Sequence, residues 1–309
     1  MRIVRKPTEN DFDRARVAVR QLLEPTRMLQ LRGNRWLKLE SRQPIGAFKI
    51  RGAIAALSRI PSGAHVITAS AGNHAIGTAW AADKLGHRAT IVVTTTVSPR
   101  KLEILQEMGA EIVQIGTRFE EAEAHALTMA EQGGIYVSPY NDPHIIAGQA
   151  TVIDEILQQI DGDFSIIVPV GGGGLISGIA MRAAKLTDRK VTVIGVEAEA
   201  SQAVSASVAA GGVVEIEIGE TLADGLAGNV EPGSITVDIL KELQPQFVTV
   251  TEDEIAAAIR TLYTDYDLRA EGAAATSYAA MQKLDLPGTV VALITGRNIT
   301  QELLRGIVK

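Results

Sequence analysis

Short runs rich in valine and isoleucine recur along the chain and alternate with stretches of helical spacing. This alternation narrows the folds open to the chain more than any other feature. The runs are "HVITAS", "ATIVVTTT", "AEIVQIG", "GIYVSP", "FSIIVPV", "VTVIGVEA", "QFVTVTE" and "TVVALIT". Between them lie stretches such as "NHAIGTAWAADKLG", "SPRKLEILQEMGA" and "RFEEAEAHALTMAEQGG". Continuous apolar strands are buried on both faces, the condition of a parallel sheet covered by helices. The expected class is therefore α/β with mostly parallel sheets. The strand-to-helix junctions carry Gly, Ser, Thr or Asn, and ligands in such folds bind at the carboxyl ends of the strands. With 309 residues, 46% of them hydrophobic, the chain can build a large core in one or two domains. "VAAGGVVEIEIGE" (208–220) is the stretch expected to leave the strand and helix pattern.

Composition excludes several classes of function. The net charge is −6 and no basic block occurs, so neither nucleic acid nor an anionic membrane is an expected partner. The absence of cysteine rules out disulfides, thiolate catalysis and cysteine metal sites, and fits a reducing cytoplasmic setting. The charged N-terminus lacks the apolar segment of a signal peptide. The longest apolar stretch, "FSIIVPVGGGGLISGIAM", is interrupted by glycines and is short for a bilayer span.

Four motifs could carry chemistry. In "PIGAFKIRGA", Lys49 follows Gly46, Ala47 and Phe48. Most lysines are surface cations with a snorkelling stem. Small neighbours and a flat apolar ring point instead to a pocket, where a lysine loses its charge more readily and can attack a carbonyl. In "VPVGGGGLISG", a strand runs into Gly171, Gly172, Gly173 and Gly174 and then into a helix. Such a loop is either a flexible turn or a cradle of N–H groups for an anion at the positive end of the helix. It has neither the P-loop lysine nor the dinucleotide glycine spacing. In "TASAGNHAIG", Ser70 and Gly72 suit a carboxylate, and Asn73 and His74 share the turn; a plain helix cap by Ser70 is the alternative. In "ALITGRNIT", a buried strand ends near Thr295, and "RAEGAAATS" sets Glu271 ahead of a small-residue helix.

Taken together, "PIGAFKIRGA", "SAGNHA", the tetraglycine loop and "LITGRN", in this order and spacing, resemble the fold-type II pyridoxal-phosphate enzymes of the serine/threonine dehydratase branch. "LKLESRQ" and "DPHIIAGQATVIDEIL" extend the resemblance from about Pro25 to the C-terminus. The resemblance implies pyridoxal 5′-phosphate as cofactor, with Lys49 as its Schiff-base lysine and Phe48 beside the ring. It implies Asn73 at the ring hydroxyl, Gly171 to Gly174 around the phosphate and Thr295 at the pyridine nitrogen. Ser70, Ala71, Gly72 and His74 would line the substrate carboxylate site. The implied fold has a small domain at 45–144 and a large domain formed by 1–44 and 145–309, with the cofactor between them. The implied activity is removal of the β-hydroxyl of a hydroxy amino acid of the L-threonine or L-serine type, giving a 2-oxo acid and ammonia. Lys49 would be the base at Cα. Homodimers or higher homo-oligomers are usual in the family.

Departures from the family pattern shape the alternatives. Ala71 stands where racemases carry a second serine, which favours elimination over racemisation. A divalent-cation site would begin at Glu197, but the later carboxylate position is Ala203 and Glu199 does not restore the spacing, so no metal is expected. Arg297 replaces a glycine and could anchor a second carboxylate or form a salt bridge beneath the site. It keeps open a specialised substrate: 3-hydroxyaspartate, phenylserine or a hydroxyectoine-derived amino acid. A racemase, a β-replacement enzyme and a non-catalytic cofactor-binding protein are further alternatives. With the sequence ending at Lys309, no C-terminal regulatory domain is expected.

Overall fold

The computed structural model describes residues 3–97 and 99–309. Met1, Arg2 and Ser98, the last of which opens one expected helical segment, lie outside the described residues. The eight apolar runs become eight strands: β3 (His65–Ala69), β4 (Arg88–Val93), β5 (Glu111–Gln114), β6 (Ile135–Tyr136), β7 (Phe164–Pro169), β8 (Val191–Ala198), β9 (Gln246–Val250) and β10 (Thr289–Leu293). Two short strands precede them, β1 (Met28–Gln30) and β2 (Arg35–Lys38).

The strands form two sheets. One has six strands in the order β1-β2-β10-β7-β8-β9, and the other has four in the order β5-β4-β3-β6. Every pairing is parallel except β1 with β2. The central strands are buried without alternation, Ile166, Ile167 and Val168 of β7 being fully enclosed, as a sheet covered on both faces requires. β10 ends at Leu293, two residues before Thr295, although the Ile294 N–H still bonds to Lys38 O at 3.0 Å.

Among the described residues, twelve α-helices cover the sheets: α1 (Glu9–Leu22), α2 (Lys49–Leu57), α3 (Asn73–Leu85), α4 (Pro99–Glu107), α5 (Phe119–Glu131), α6 (Pro143–Gln159), α7 (Gly174–Ala183), α8 (Ala203–Ala210), α9 (Ile235–Leu243), α10 (Glu252–Tyr266), α11 (Gly272–Lys283) and α12 (Gln301–Val308). Their starts follow local chemistry. Asp142 caps α6 through the N–H groups of His144 and Ile145 ahead of Pro143, and Thr251 and Glu254 form a reciprocal capping box on α10. α2 and α6 cross closely because Gly148 has no side chain; a Cβ there would stand 2.6 Å from both Ala55 Cβ and Arg51 O. After α8 the chain runs through 211–222 without regular structure; this overlaps the stretch 208–220 expected to depart from the pattern, whose first three residues instead complete α8.

Candidate active site

Lys49 opens α2, and the turn before it is stitched to the exit of β10. The Phe48 N–H donates to Thr295 O at 2.9 Å, and Ala47 bridges Gly296. This pairing joins residues from opposite ends of the sequence at a strand's carboxyl end. The Lys49 ammonium donates to Pro139 O at 2.9 Å and lies 5.4 Å from the Phe48 ring centroid. It keeps some solvent exposure, yet protein crowds it closely. That desolvation pulls its pKa down to about 8, against the opposing attraction of Glu271.

The segment through Pro139 also touches the glycine loop. The Tyr140 ring lies flat against Gly172, where a Cβ would enter the ring, and Tyr140 Cα would be 3.0 Å from a Cβ on Gly174. Gly171 is pressed by Leu226, whose Cα would be 3.2 Å from an added Cβ. Gly173, at φ 84°, takes the left-handed conformation that starts α7, so a bulkier residue would be strained there. Thr236 donates its hydroxyl to Gly172 O at 2.9 Å, and the Glu231 N–H donates to the Tyr140 hydroxyl at 2.8 Å. Among the described residues, the amides of Gly171 to Gly174 have no acceptor within the protein. They stand at the uncapped N-terminus of α7, which attracts an anion.

Ser70 to His74 form the third wall, between β3 and α3. The Ser70 hydroxyl accepts from the Gly72 N–H at 3.2 Å and does not cap α3; Gly72 occupies the cap position with no side-chain bond. The first turn of α3 therefore has no side-chain cap. Ala71 and Gly72 are half-buried beside it. His74 is buried, and its Nε2 meets Val137 O at 3.1 Å. Bonded to a carbonyl, Nε2 carries the proton; Nδ1 is the acceptor and has no partner among the described residues. Burial, and then the charge of Lys49, push the imidazole down to about 3, so it is neutral. Asn73 is held from the large sheet, its Nδ2 donating to Glu271 Oε1 at 2.8 Å while its Oδ1 accepts from Asn298 Nδ2 at 2.6 Å.

Thus Lys49, Phe48 and Thr295 are joined directly, the glycine loop reaches Lys49 through Pro139 and Tyr140, and Asn73 and His74 are linked to Lys49 through Glu271 and charge. Glu197 and Ala203 stand apart from this grouping. The Glu197 carboxylate accepts from the Val204 and Ser205 N–H groups at 3.0 and 3.3 Å, bracing the start of α8. Arg297 is half-buried against Gly46, which accepts its backbone N–H at 2.9 Å; among the described residues its guanidinium has no ion pair. Sequence reasoning missed Pro139, Tyr140, Glu231, Thr236 and Asn298. Only "PYNDP", a turn before a capping aspartate, offered any local signal of the segment that joins lysine and glycine loop.

The set fits pyridoxal phosphate. It offers a lysine amine of lowered pKa, a tightly packed glycine loop whose amides have no acceptor among the described residues, a buried hydroxyl residue and an amide at one cleft. The comparisons agree. Residues 19–296 match the family described as "Pyridoxal-phosphate dependent enzyme". L-threonine ammonia-lyase of Geobacter sulfurreducens is 40% identical over 281 residues, 89% of this chain and 69% of that protein. L-threonine ammonia-lyase of Thermotoga maritima is 42% identical over 282 residues, 89% of this chain and 70% of that protein. The solved structure of the processed form of threonine deaminase isoform 2 from Solanum lycopersicum superposes with a TM-score of 0.88 at 31% identity, covering 99% of this chain and 95% of that one. On this fold and these relatives, the chain belongs to the pyridoxal-phosphate dependent enzyme family.

Proposed function

We propose that this chain is a pyridoxal-phosphate-dependent ammonia-lyase that removes the β-hydroxyl of an amino acid of the L-threonine or L-serine type, leaving a 2-oxo acid and ammonia. The observation that carries the reading is the Lys49 amine, lowered to about 8 and held between the glycine loop's partner segment and the exit of β10. When bound, pyridoxal phosphate supplies an aldehyde for amines and a ring that accepts electrons from Cα.

The chain's own residues do the rest. The amides of Gly171 to Gly174 and the N-terminus of α7 bind the phosphate. The hydroxyl of Ser70 and the first-turn amides of α3 bind the substrate carboxylate, with neutral His74 leaving the charge balance of that wall unchanged. Lys49 would hold the cofactor's aldehyde and, as a neutral amine beside the substrate Cα, would serve as the base for its proton. Thr295, the residue assigned to the ring nitrogen, offers only a neutral hydroxyl and cannot deliver a full proton there. A ring held there would withdraw electrons only moderately, chemistry that would favour prompt loss of the β-hydroxyl. Ala71 offers a methyl group and no second acid, which disfavours reprotonation and racemisation.

Arg297 supports a narrower variant, since a half-buried cation with no counter-ion among the described residues suits a substrate with a second carboxylate such as 3-hydroxyaspartate. The acidic, cysteine-free chain supports a cytoplasmic setting, and family habit supports a homodimer or higher homo-oligomer. Release of 2-oxo acid by the cofactor-loaded protein, measured on L-threonine, L-serine, 3-hydroxyaspartate and phenylserine, tests the reading. Turnover of one or more is expected, falling roughly 10³-fold or further in Lys49→Ala. Full turnover in Lys49→Ala removes the mechanism, and no release from any of the four removes the proposed activity.

A further inference from the structure

Three side chains from separate elements close on one point. Asn73 starts α3, Glu271 is the N-cap residue of α11, and Asn298 follows the exit of β10. Besides the two bonds at Asn73, the Asn298 backbone N–H donates to Glu271 Oε2 at 3.1 Å, and its Nδ2 donates to Ile45 O at 3.0 Å. Glu271 is 8% exposed. An ionised carboxylate only accepts, so the end of Asn73 that meets Oε1 must be the donor end. Asn298 enforces the same orientation from the other side, since its Nδ2 needs an acceptor and Asn73 Oδ1 provides one. A flipped Asn73 would set oxygen against carboxylate. Glu271 uses one of the two hydrogens on Asn73 Nδ2; the other remains. Gly296 makes the arrangement possible, because a Cβ there would run into the Glu271 carboxylate.

We propose that Glu271 is a positioning residue: with Asn298 it fixes the carboxamide of Asn73 so that the second Nδ2 hydrogen is the group offered to the phenolic oxygen of bound pyridoxal phosphate. The assignment rests on the reading above that Asn73 faces that oxygen. It makes a specific claim about coupling, namely that Glu271 acts through Asn73.

A double-mutant cycle tests it. Glu271→Gln, Asn73→Ala and the double variant are compared with the parent for the dissociation constant of pyridoxal phosphate, followed by tryptophan fluorescence, and for the visible circular-dichroism band of the cofactor held on Lys49. Removing the carboxylate also removes a charge near Lys49, but that effect is present with or without Asn73 and cancels in the cycle. Each single variant is expected to weaken cofactor affinity roughly tenfold, the double variant by clearly less than the roughly hundredfold of independent losses, with Glu271→Asp restoring much of the loss. Should Glu271→Gln fail to fold, Asn298→Ser, which removes the other arm of the clasp, takes its place in the cycle. Additive losses, or an unchanged Glu271→Gln, overturn the role of Glu271. An unchanged Asn73→Ala removes the reading of Asn73 itself, and the positioning role with it.

Discussion

A lysine amine with an ordinary pKa near 10.5 is almost wholly protonated at neutral pH, with on the order of one molecule in three thousand able to attack an aldehyde. At about 8, the value set by crowding around Lys49, the neutral share at pH 7 rises to roughly one tenth. The sign follows directly: a lowered pKa moves the reactive form toward neutral pH, so capture of pyridoxal phosphate by the cofactor-free protein should speed up as pH rises and level off above about 8. Stopped-flow absorbance across pH 6 to 10 reads this, and a rate still climbing as steeply at the top of that range contradicts the lowered value. His74 should leave no inflection near its ordinary pKa, because burial keeps it neutral throughout. At this scale the sequence was partly readable. Lys49, Asn73 and the four glycines stand out because their immediate neighbours are unusual. The partners of Asn73 are another matter: they lie 198 and 225 residues away, so "RAEGAAATS" marks Glu271 but nothing ties it to Asn73, and no local pattern marks Asn298.

At the scale of elements, α2 must be held rigidly if its first residue is to be a nucleophile. Its base is a buried ion cluster. The Arg51 guanidinium bonds both oxygens of Glu40, at 2.7 and 2.8 Å, and meets Glu155 Oε1 at 2.6 Å. Lys38, at the end of β2, meets Glu155 Oε2 at 2.5 Å and Thr26 O at 2.9 Å. Burial alone would raise Glu40, but the Arg51 charge and its two hydrogen bonds win and hold it at about 2. Two cations and two carboxylates thus tie β2, α2 and α6 together out of water. Arg51→Met would leave both carboxylates short of a cation and should cost about 3–5 kcal/mol of stability, measured by urea unfolding. A loss under ~1 kcal/mol would mean that the cluster does not hold α2. Glu40, with its folded pKa below the unfolded one, adds stability that is present above about 4.5 and lost as pH falls toward 2. The apolar strands β3 to β10 could be read from their valine and isoleucine runs. β1 and β2 could not, because "MLQ" and "RWLK" are short and mixed, and tertiary pairing, of β2 with β10 and of β1 with β2, rather than composition makes them strands.

Over the whole molecule, alternation of apolar runs and helical spacing pointed to parallel sheets, but no local signal told where one sheet ends and the next begins. We take 45–144 as a small unit and 1–44 with 145–309 as a large one. The four-stranded sheet lying within 65–136 supports that division. Lys49 and Asn73 then belong to one unit, and the glycine loop, Thr295, Glu271 and Asn298 to the other. A ligand held by both sets is a bridge, and its binding free energy stabilises the two units jointly. The units already share the Phe48 to Thr295 pairing and the Asn73 clasp, so one cooperative transition is expected without cofactor. Pyridoxal phosphate at a hundredfold excess over its dissociation constant should add about 2.7 kcal/mol, which for a chain of this length raises Tm by about 4 °C. Scanning calorimetry of the cofactor-free and loaded protein distinguishes the possibilities. A single peak that moves intact supports a site built from both units. Two peaks of which one moves would place the cofactor's contacts within one unit, and the proposed division of the site between them would fall.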